Sequence, residues 1–154
     1  HKSGTDRVAE IASQIDNAEI IINIQADEPF IDPSLIDDLI KSFKNSDVEM
    51  STLISTAISD EDLNNKNVVK ASLNDSKYAI DFSRKYGEYK HLGIYAFTKQ
   101  ALFRFIDYQQ TKNEKSRNLE QMRALDNGIK IKAVITDKDS LSINVVGDMY
   151  NVQT

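Results

Sequence analysis

The chain has no cysteine among its 154 residues. Disulfides, thiolate metal sites and cysteine nucleophiles are thereby excluded, and a reducing compartment fits. It also lacks a long basic block: 19 Lys and Arg stand against 24 Asp and Glu, for a net charge of −5. Binding a nucleic-acid backbone needs clustered cations, so nucleic acid is not an expected partner. No apolar run approaches the roughly 20 residues that a membrane helix needs, and no membrane association is expected. Repeats, low-complexity tracts and an obvious linker are missing too. No signal peptide is visible, but the chain starts at His1 without a methionine. We therefore expect a fragment, for which a missing targeting signal decides nothing.

What is present suits a soluble globular protein, with 40% hydrophobic and 28% charged residues. The length suffices for one domain, residues 1–154, with a real core. The periodicity predicts a helix over 5–16, capped by Thr5, with Val8, Ile11, Ala12 and Ile15 on its inner face. Residues 19–25 read as a buried strand, whose near-continuous apolar run calls for an interior place covered on both faces. Asp32 caps a helix that Pro33 starts, with Leu35, Ile36, Leu39, Ile40 and Phe43 as its apolar stripe. A strand at 49–57 and a polar loop at 60–67 follow. Strands at 68–73 and 78–82 are joined through Asn74, Asp75, Ser76 and Lys77 as a hairpin, and 91–97 is a further strand. A helix over 99–108 turns Ala101, Leu102, Phe105 and Ile106 inward. One over 116–127 turns Leu119, Met122 and Leu125 inward and stops at Gly128. Strands at 129–136 and 140–144 end the pattern. Alternating strands and helices predict an α/β fold with a mixed, partly antiparallel sheet.

In such sheets ligands sit beyond the carboxyl ends of strands, and Gln25, Asp27 and Glu28 lie at that place. Adjacent carboxylates on an extended segment point to opposite sides, so one of the pair faces a given ligand. A hard cation such as magnesium would take such an oxygen together with substrate phosphates, although a solvated acidic loop would look the same. His1, Lys2, Ser3, Gly4, Thr5, Asp6 and Arg7 lead into a helix start, where backbone N–H groups attract anions; ordinary capping by Ser3 or Thr5 is the plainer use. Arg84 could hold a carboxylate in a bidentate fork. On a regular strand His91, Gly93 and Tyr95 share one face, with the glycine leaving room for a ligand. Glu120 and Gln121 fall inside the last helix, where solvated residues are the commoner reading.

Taken in order, the pieces HKSGTDR, QADEP, FSR, HLGIY and LEQMRALDNGIKI resemble the cytidylyltransferases that activate 3-deoxy-manno-octulosonate (Kdo), the CMP-Kdo synthetases. The resemblance runs from His1 to about Ile131. It implies a Rossmann-like nucleotidyltransferase fold with helices on both faces of the sheet. The implied reaction joins CTP and Kdo to give CMP-Kdo and pyrophosphate with Mg2+, in the cytoplasm, for lipopolysaccharide synthesis. His1 and Ser3, Gly4, Thr5, Asp6 and Arg7 would line the cytidine pocket. Asp27 would hold the metal on the triphosphate and, with Arg84, serve catalysis. Gln25, Arg84, His91, Tyr95, Glu120 and Gln121 would bind the sugar, and the chain would form a homodimer.

The sequence departs from that pattern in four places. The family's opening strand and phosphate loop lie upstream of HKSGTDR, so negligible turnover is expected of this chain until that segment is restored. Ala26 replaces a glycine. Only residues 85–90 separate Arg84 from His91, where the family has a longer segment that contributes to dimer contacts. Asn144 falls where a second metal-binding Asp stands, offering an oxygen without the charge. Two other functions stay open: a cytidylyltransferase for another acidic sugar, such as 8-amino-Kdo or a nonulosonate, and an inactive binding or oligomerisation module.

Overall fold

The computed structural model describes residues 3–25 and 31–139. The chain order is α1 (Gly4–Ser13), β1 (Ile20–Asn23), α2 (Pro33–Ser42), β2 (Met50–Ser55), α3 (Asp60–Asn64), β3 (Lys70–Leu73), β4 (Ala79–Ser83), β5 (Tyr89–Thr98), α4 (Lys99–Asp107), α5 (Lys112–Arg117), α6 (Gln121–Asp126) and β6 (Ile131–Thr136). The strands form one six-stranded sheet in the order β4-β3-β5-β2-β6, with β1 pairing β5 further along that long strand. Only the β2–β6 pair is parallel among these; β1, β2 and β3 all run antiparallel to the partner they share, β5. This is the mixed sheet that the alternating pattern predicts.

β2 is buried along its whole length because both faces of the sheet are covered. On one face Met50 and Ile54 join a core with Phe97 of β5 and with Ala9, Ala12, Leu102, Phe105 and Met122, supplied by α1, α4 and α6. On the other, Leu53 packs with Leu35 and Leu39 of α2 and with Leu92, Ile94 and Ala96 of β5. Pro33 sits in the first turn of α2 and Asp32 caps it by accepting from Ser34 N, as expected. Among the described residues no helix is long and apolar enough to cross a membrane.

Several local expectations are corrected. Ile20–Asn23 has β5 as its one strand partner among the described residues, so these residues do not give it the interior place expected. The apolar run does have cover on both faces, since Ile21 packs on one core and Ile20 and Ile22 on the other. Periodicity reports faces, not edges, and cannot separate a covered strand at the margin from a central one. α1 is capped by Ser3 rather than Thr5, through a reciprocal capping box with Asp6. Its inner face is accordingly Thr5, Ala9 and Ala12, which leaves Ile11 and Ile15 exposed. The polar loop at 60–67 contains a short helix, α3, started by Ser59 and Asp62. The single helix expected over 116–127 is two, α5 and α6, because Asn118 adopts the left-handed conformation at φ 52°. The strand expected at 140–144 lies outside the described residues.

Candidate functional site

β5 supplies the floor of the site. Opposite Thr52 and Ile54 of β2, its register slips, so that Tyr95 and His91 become the partners of residues two apart. Gly93, at φ 69°, lies in this irregularity. That φ favours glycine, so the bulge explains why a glycine interrupts an otherwise bulky strand. His91 and Tyr95 remain on one side, with ring centroids 5.3 Å apart, and Phe82 meets His91 edge-on at 5.0 Å.

His91 is buried, and burial pushes its pKa down from 6.5 to about 3. Its Nε2 lies 2.9 Å from Thr52 Oγ1, whose own proton is donated to the Ile94 carbonyl at 2.7 Å. A hydroxyl has one proton to give, so Thr52 accepts from His91. The imidazole is thus the neutral Nε2–H tautomer, and Nδ1 is left as an acceptor. Burial, and then the charge of Glu120, push Tyr95 well above the ordinary phenol range. Tyr95 therefore stays a neutral hydroxyl at physiological pH.

Arg84 follows β4 directly. Its Nη1 donates to the carbonyls of Asn67, at 2.8 Å, and Lys66, at 3.4 Å. A guanidinium has five donors, so Nη2 and Nε remain for a ligand while the loop carbonyls aim the fork. Behind it, Lys70 is fully buried and donates to the carbonyls of Asn65 and Arg84 at 2.8 and 2.9 Å. Burial lowers the pKa of Lys70. The lysine ties the loop before β3 to the end of β4, the two segments that carry Asn67 and Arg84. Gly87 passes close by: a Cβ there would lie 2.6 Å from Lys70 Cβ.

Glu120 and Gln121 stand at the break between α5 and α6. Leu119 N bonds Glu114 O across the break, and α6 begins at Gln121 with no side-chain cap from Glu120. Glu120 Oε2 accepts from Thr5 Oγ1 at 2.8 Å, and Thr5 accepts from Asn23 Nδ2 at 3.2 Å. Glu120 Oε1 is 3.6 Å from Arg123, whose guanidinium is held at both ends by buried Glu114. Burial raises the pKa of Glu114, but the bonds and charge of Arg123 outweigh it and hold the carboxyl below the usual range.

These elements enclose a cavity of about 290 Å³. Gln25, Arg84, His91, Tyr95, Glu120 and Gln121 all line it, from segments far apart in the chain. Asn67, Lys90 and Asn118 line it as well, and were not singled out from the sequence. Lys90 was legible only as the neighbour of His91. Asn118 had a signal, since Asn is the side chain that best tolerates left-handed backbone. Burial would lower Lys90, but Asp139 and Asp62, at 2.9 and 3.3 Å, outweigh it and raise its pKa. A second cavity, of about 410 Å³, is lined by Ser3 and shares Asn118, Leu119 and Glu120 with the first.

Of the segment expected on the nucleotide side, Gly4 and Arg7 are exposed at the start of α1, while Asp6 accepts from Ser3 N. The Thr5 side chain is buried and turned inward to Glu120 and Asn23, so it presents no open hydroxyl to a nucleotide. His1, Asp27 and Asn144 lie outside the described residues. Among the described residues no group of three or more His, Asp or Glu could hold a metal ion. The carboxylate that lines the first cavity, Glu120, is already engaged by Thr5 and Arg123. The described part of the site therefore has polar donors and acceptors and two cations, but no metal cradle of its own.

Comparison with known proteins bears on this arrangement. The family profile described as cytidylyltransferase matches residues 1–131. A 3-deoxy-manno-octulosonate cytidylyltransferase of Chloroherpeton thalassium is 41% identical over 99% of this chain, which spans 67% of that relative. One of Geotalea uraniireducens is 36% identical over 99% of the chain and 69% of the relative. The solved structure of a CMP:2-keto-3-deoxy-manno-octonic acid synthetase complexed with CTP superposes with a TM-score of 0.90 at 28% identity, over 99% of this chain and 67% of that one. A putative glucose-1-phosphate thymidylyltransferase from Bacillus anthracis shares the fold alone, with a TM-score of 0.67 at 14% identity over 98% of this chain and 60% of its own.

Proposed function

Because this chain belongs to the cytidylyltransferase family, among the 3-deoxy-manno-octulosonate cytidylyltransferases, we propose that its cavity binds Kdo for transfer of a cytidylyl group from CTP. The products are CMP-Kdo and pyrophosphate. The observation that carries the reading is the meeting of Gln25, Arg84, His91, Tyr95, Glu120 and Gln121 around one polar cavity.

The residue types suit an acidic sugar. Arg84, oriented by the Asn67 carbonyl, pairs with the sugar carboxylate through its free fork. His91 offers Nδ1 as an acceptor to a sugar hydroxyl, held in that tautomer by Thr52. Gln25, Tyr95, Glu120 and Gln121 supply further donors and acceptors. In the reaction the anomeric hydroxyl attacks the α-phosphorus of CTP. A new P–O bond forms to the sugar, the bond from the α-phosphorus to the bridging oxygen breaks, pyrophosphate leaves with that electron pair, and the hydroxyl proton passes to solvent. Positioning and charge neutralisation carry such a transfer, with no covalent intermediate on the protein. To the nucleotide we assign His1 together with Ser3, Gly4, Asp6 and Arg7 at the start of α1. Mg2+, when bound, would neutralise phosphate charge; Asp27 is the ligand we assign to it, and Asn144 could offer it an oxygen without a charge. The reaction is assigned to the cytoplasm, as a step of lipopolysaccharide synthesis, in a homodimer.

The test is pyrophosphate release from CTP, in a protein that carries this chain together with the upstream segment of its relatives. Kdo, 8-amino-Kdo and a nonulosonate are compared as acceptors. The proposal expects release with Kdo that needs Mg2+ and falls at least about a hundredfold in Asp27→Asn, as for loss of one charge-stabilising group. A rate indifferent to Mg2+ and to Asp27→Asn defeats the assignment of Asp27. Preference for either other sugar moves the protein to another acceptor.

A further inference from the structure

We propose, on the basis of that reading of the cavity, that Thr5 is a positioning residue of the sugar wall: its hydroxyl fixes the Glu120 carboxylate from across the domain, and it does not contact the nucleotide. Thr5 lies in the HKSGTDR segment, where helix capping would ordinarily occupy a hydroxyl. Here Ser3 and Asp6 satisfy the cap between them. The Thr5 hydroxyl is therefore spare for another use, on a residue that is 2% exposed.

Its bonds have a fixed direction. Asn23 Nδ2 can only donate, and it donates to Thr5 Oγ1. A carboxylate oxygen accepts, so the Thr5 proton goes to Glu120 Oε2. The chain Asn23, Thr5, Glu120 runs from the end of β1, through the start of α1, to the break between α5 and α6. Gln25, two residues beyond Asn23, lines the same cavity as Glu120.

Glu120 needs this support. It precedes the first residue of α6 but makes no side-chain cap there, so its local partner is the looser ion pair with Arg123. Its other oxygen, Oε1, is buried and accepts no hydrogen bond from the described residues, with Arg123 at 3.6 Å. Arg123 in turn is committed to Glu114 through Nε and Nη2. The Thr5 bond is thus the one hydrogen bond that the described residues place on this carboxylate. Glu120 also lies on the wall common to the two cavities, the second of which opens beside Ser3. A residue that holds it there links the start of α1 to the sugar pocket without touching either substrate.

The test measures Kdo and CTP affinities by titration calorimetry, each substrate alone, on the protein that carries this chain together with the upstream segment of its relatives, with melting temperatures as a check on folding. The variants are Thr5→Val, Thr5→Ser, Glu120→Ala and the double Thr5→Val/Glu120→Ala. Thr5→Val keeps the volume and removes the hydroxyl. It should weaken Kdo binding about tenfold, the size expected for one bond to a charged group. Thr5→Ser restores the hydroxyl and should bind within about threefold of the parent. In the Glu120→Ala background the same Thr5→Val change should cost under about twofold, because a residue that acts through Glu120 has nothing left to position. Additive losses in the double variant would mean a merely structural role and overturn the proposal. So would a loss confined to CTP with Kdo affinity unchanged, which would make Thr5 a nucleotide contact. If Glu120→Ala binds Kdo as the parent does, the reading of the cavity fails and the proposal falls with it. If Glu120→Ala loses Kdo and Thr5→Val does not, the proposal alone fails.

Discussion

At the scale of the residue, His91 shows how burial sets chemistry. A histidine on a solvated strand margin would titrate near neutrality; this one is packed between Phe82 and Tyr95 and is pushed down to about 3. The sign of its effect on stability follows. Above pH 6.5 the ring is neutral in folded and unfolded chains, and pH has no leverage through it. Between 6.5 and about 3 the unfolded chain takes up a proton that the folded one refuses, so stability falls as pH falls. From pH 7.5 to 5.5 the loss attributable to His91 is about 1.4 kcal/mol. Urea unfolding of the parent and of His91→Gln at both pH values measures it. The parent should lose that much more than the variant, and equal losses would mean that the ring charges inside the fold. The sequence placed His91 and Tyr95 on a common side by counting alternate residues. It could not reveal the bulge at Gly93 across which they nevertheless meet, because register slips depend on the partner strand. Nor could it reveal that Thr5 faces inward, since a Ser-Gly-Thr run offers two equally plausible caps.

At the scale of the element, the helix break at Asn118 decides where Glu120 and Gln121 point. The apolar spacing of Leu119, Met122 and Leu125 fits one helix, and that is how it reads without coordinates. The structure instead ends α5 in a left-handed residue and restarts as α6, which brings both polar side chains to the cavity. Asn118→Gly should leave stability within about 1 kcal/mol of the parent, because glycine reaches φ > 0 freely. Asn118→Val should lose roughly 1–2 kcal/mol for forcing a β-branched residue into that region. Chemical denaturation distinguishes the two, and equal stability would remove the strain argument. The other elements were more legible. Asp32 and Pro33 announce α2, and Asn74 to Lys77 announce the hairpin, because each turn or cap depends on residues next to one another in the chain. The pairing of β1 with β5 depends on residues distant in sequence and left no local trace.

At the scale of the whole molecule, one long strand organises the site. β5 pairs with β1 at one end and with β3 at the other, so the segment that follows α1 and the segment that leads to Arg84 are fixed to a common frame. The two sheet margins also approach each other, through a bridge between Tyr78 and Lys132, with the Lys132 ammonium over the Tyr78 ring. The cavity is consequently built from residues held by several elements of a covered sheet, which is the condition for positioning a substrate accurately. The ordered motifs carried the family, but the convergence of their side chains is a property of the fold.

The central claim is that this cavity is where the acidic sugar binds, and titration of Kdo into the 15N-labelled chain tests it most directly. The account predicts saturable shifts, with a single dissociation constant, of the backbone amides of Asn67, Arg84, His91, Gly93, Asn118 and Gln121, and no response along the exposed side of α2. Kdo-dependent shifts that cluster elsewhere, or none at these six positions at saturating sugar, would contradict it.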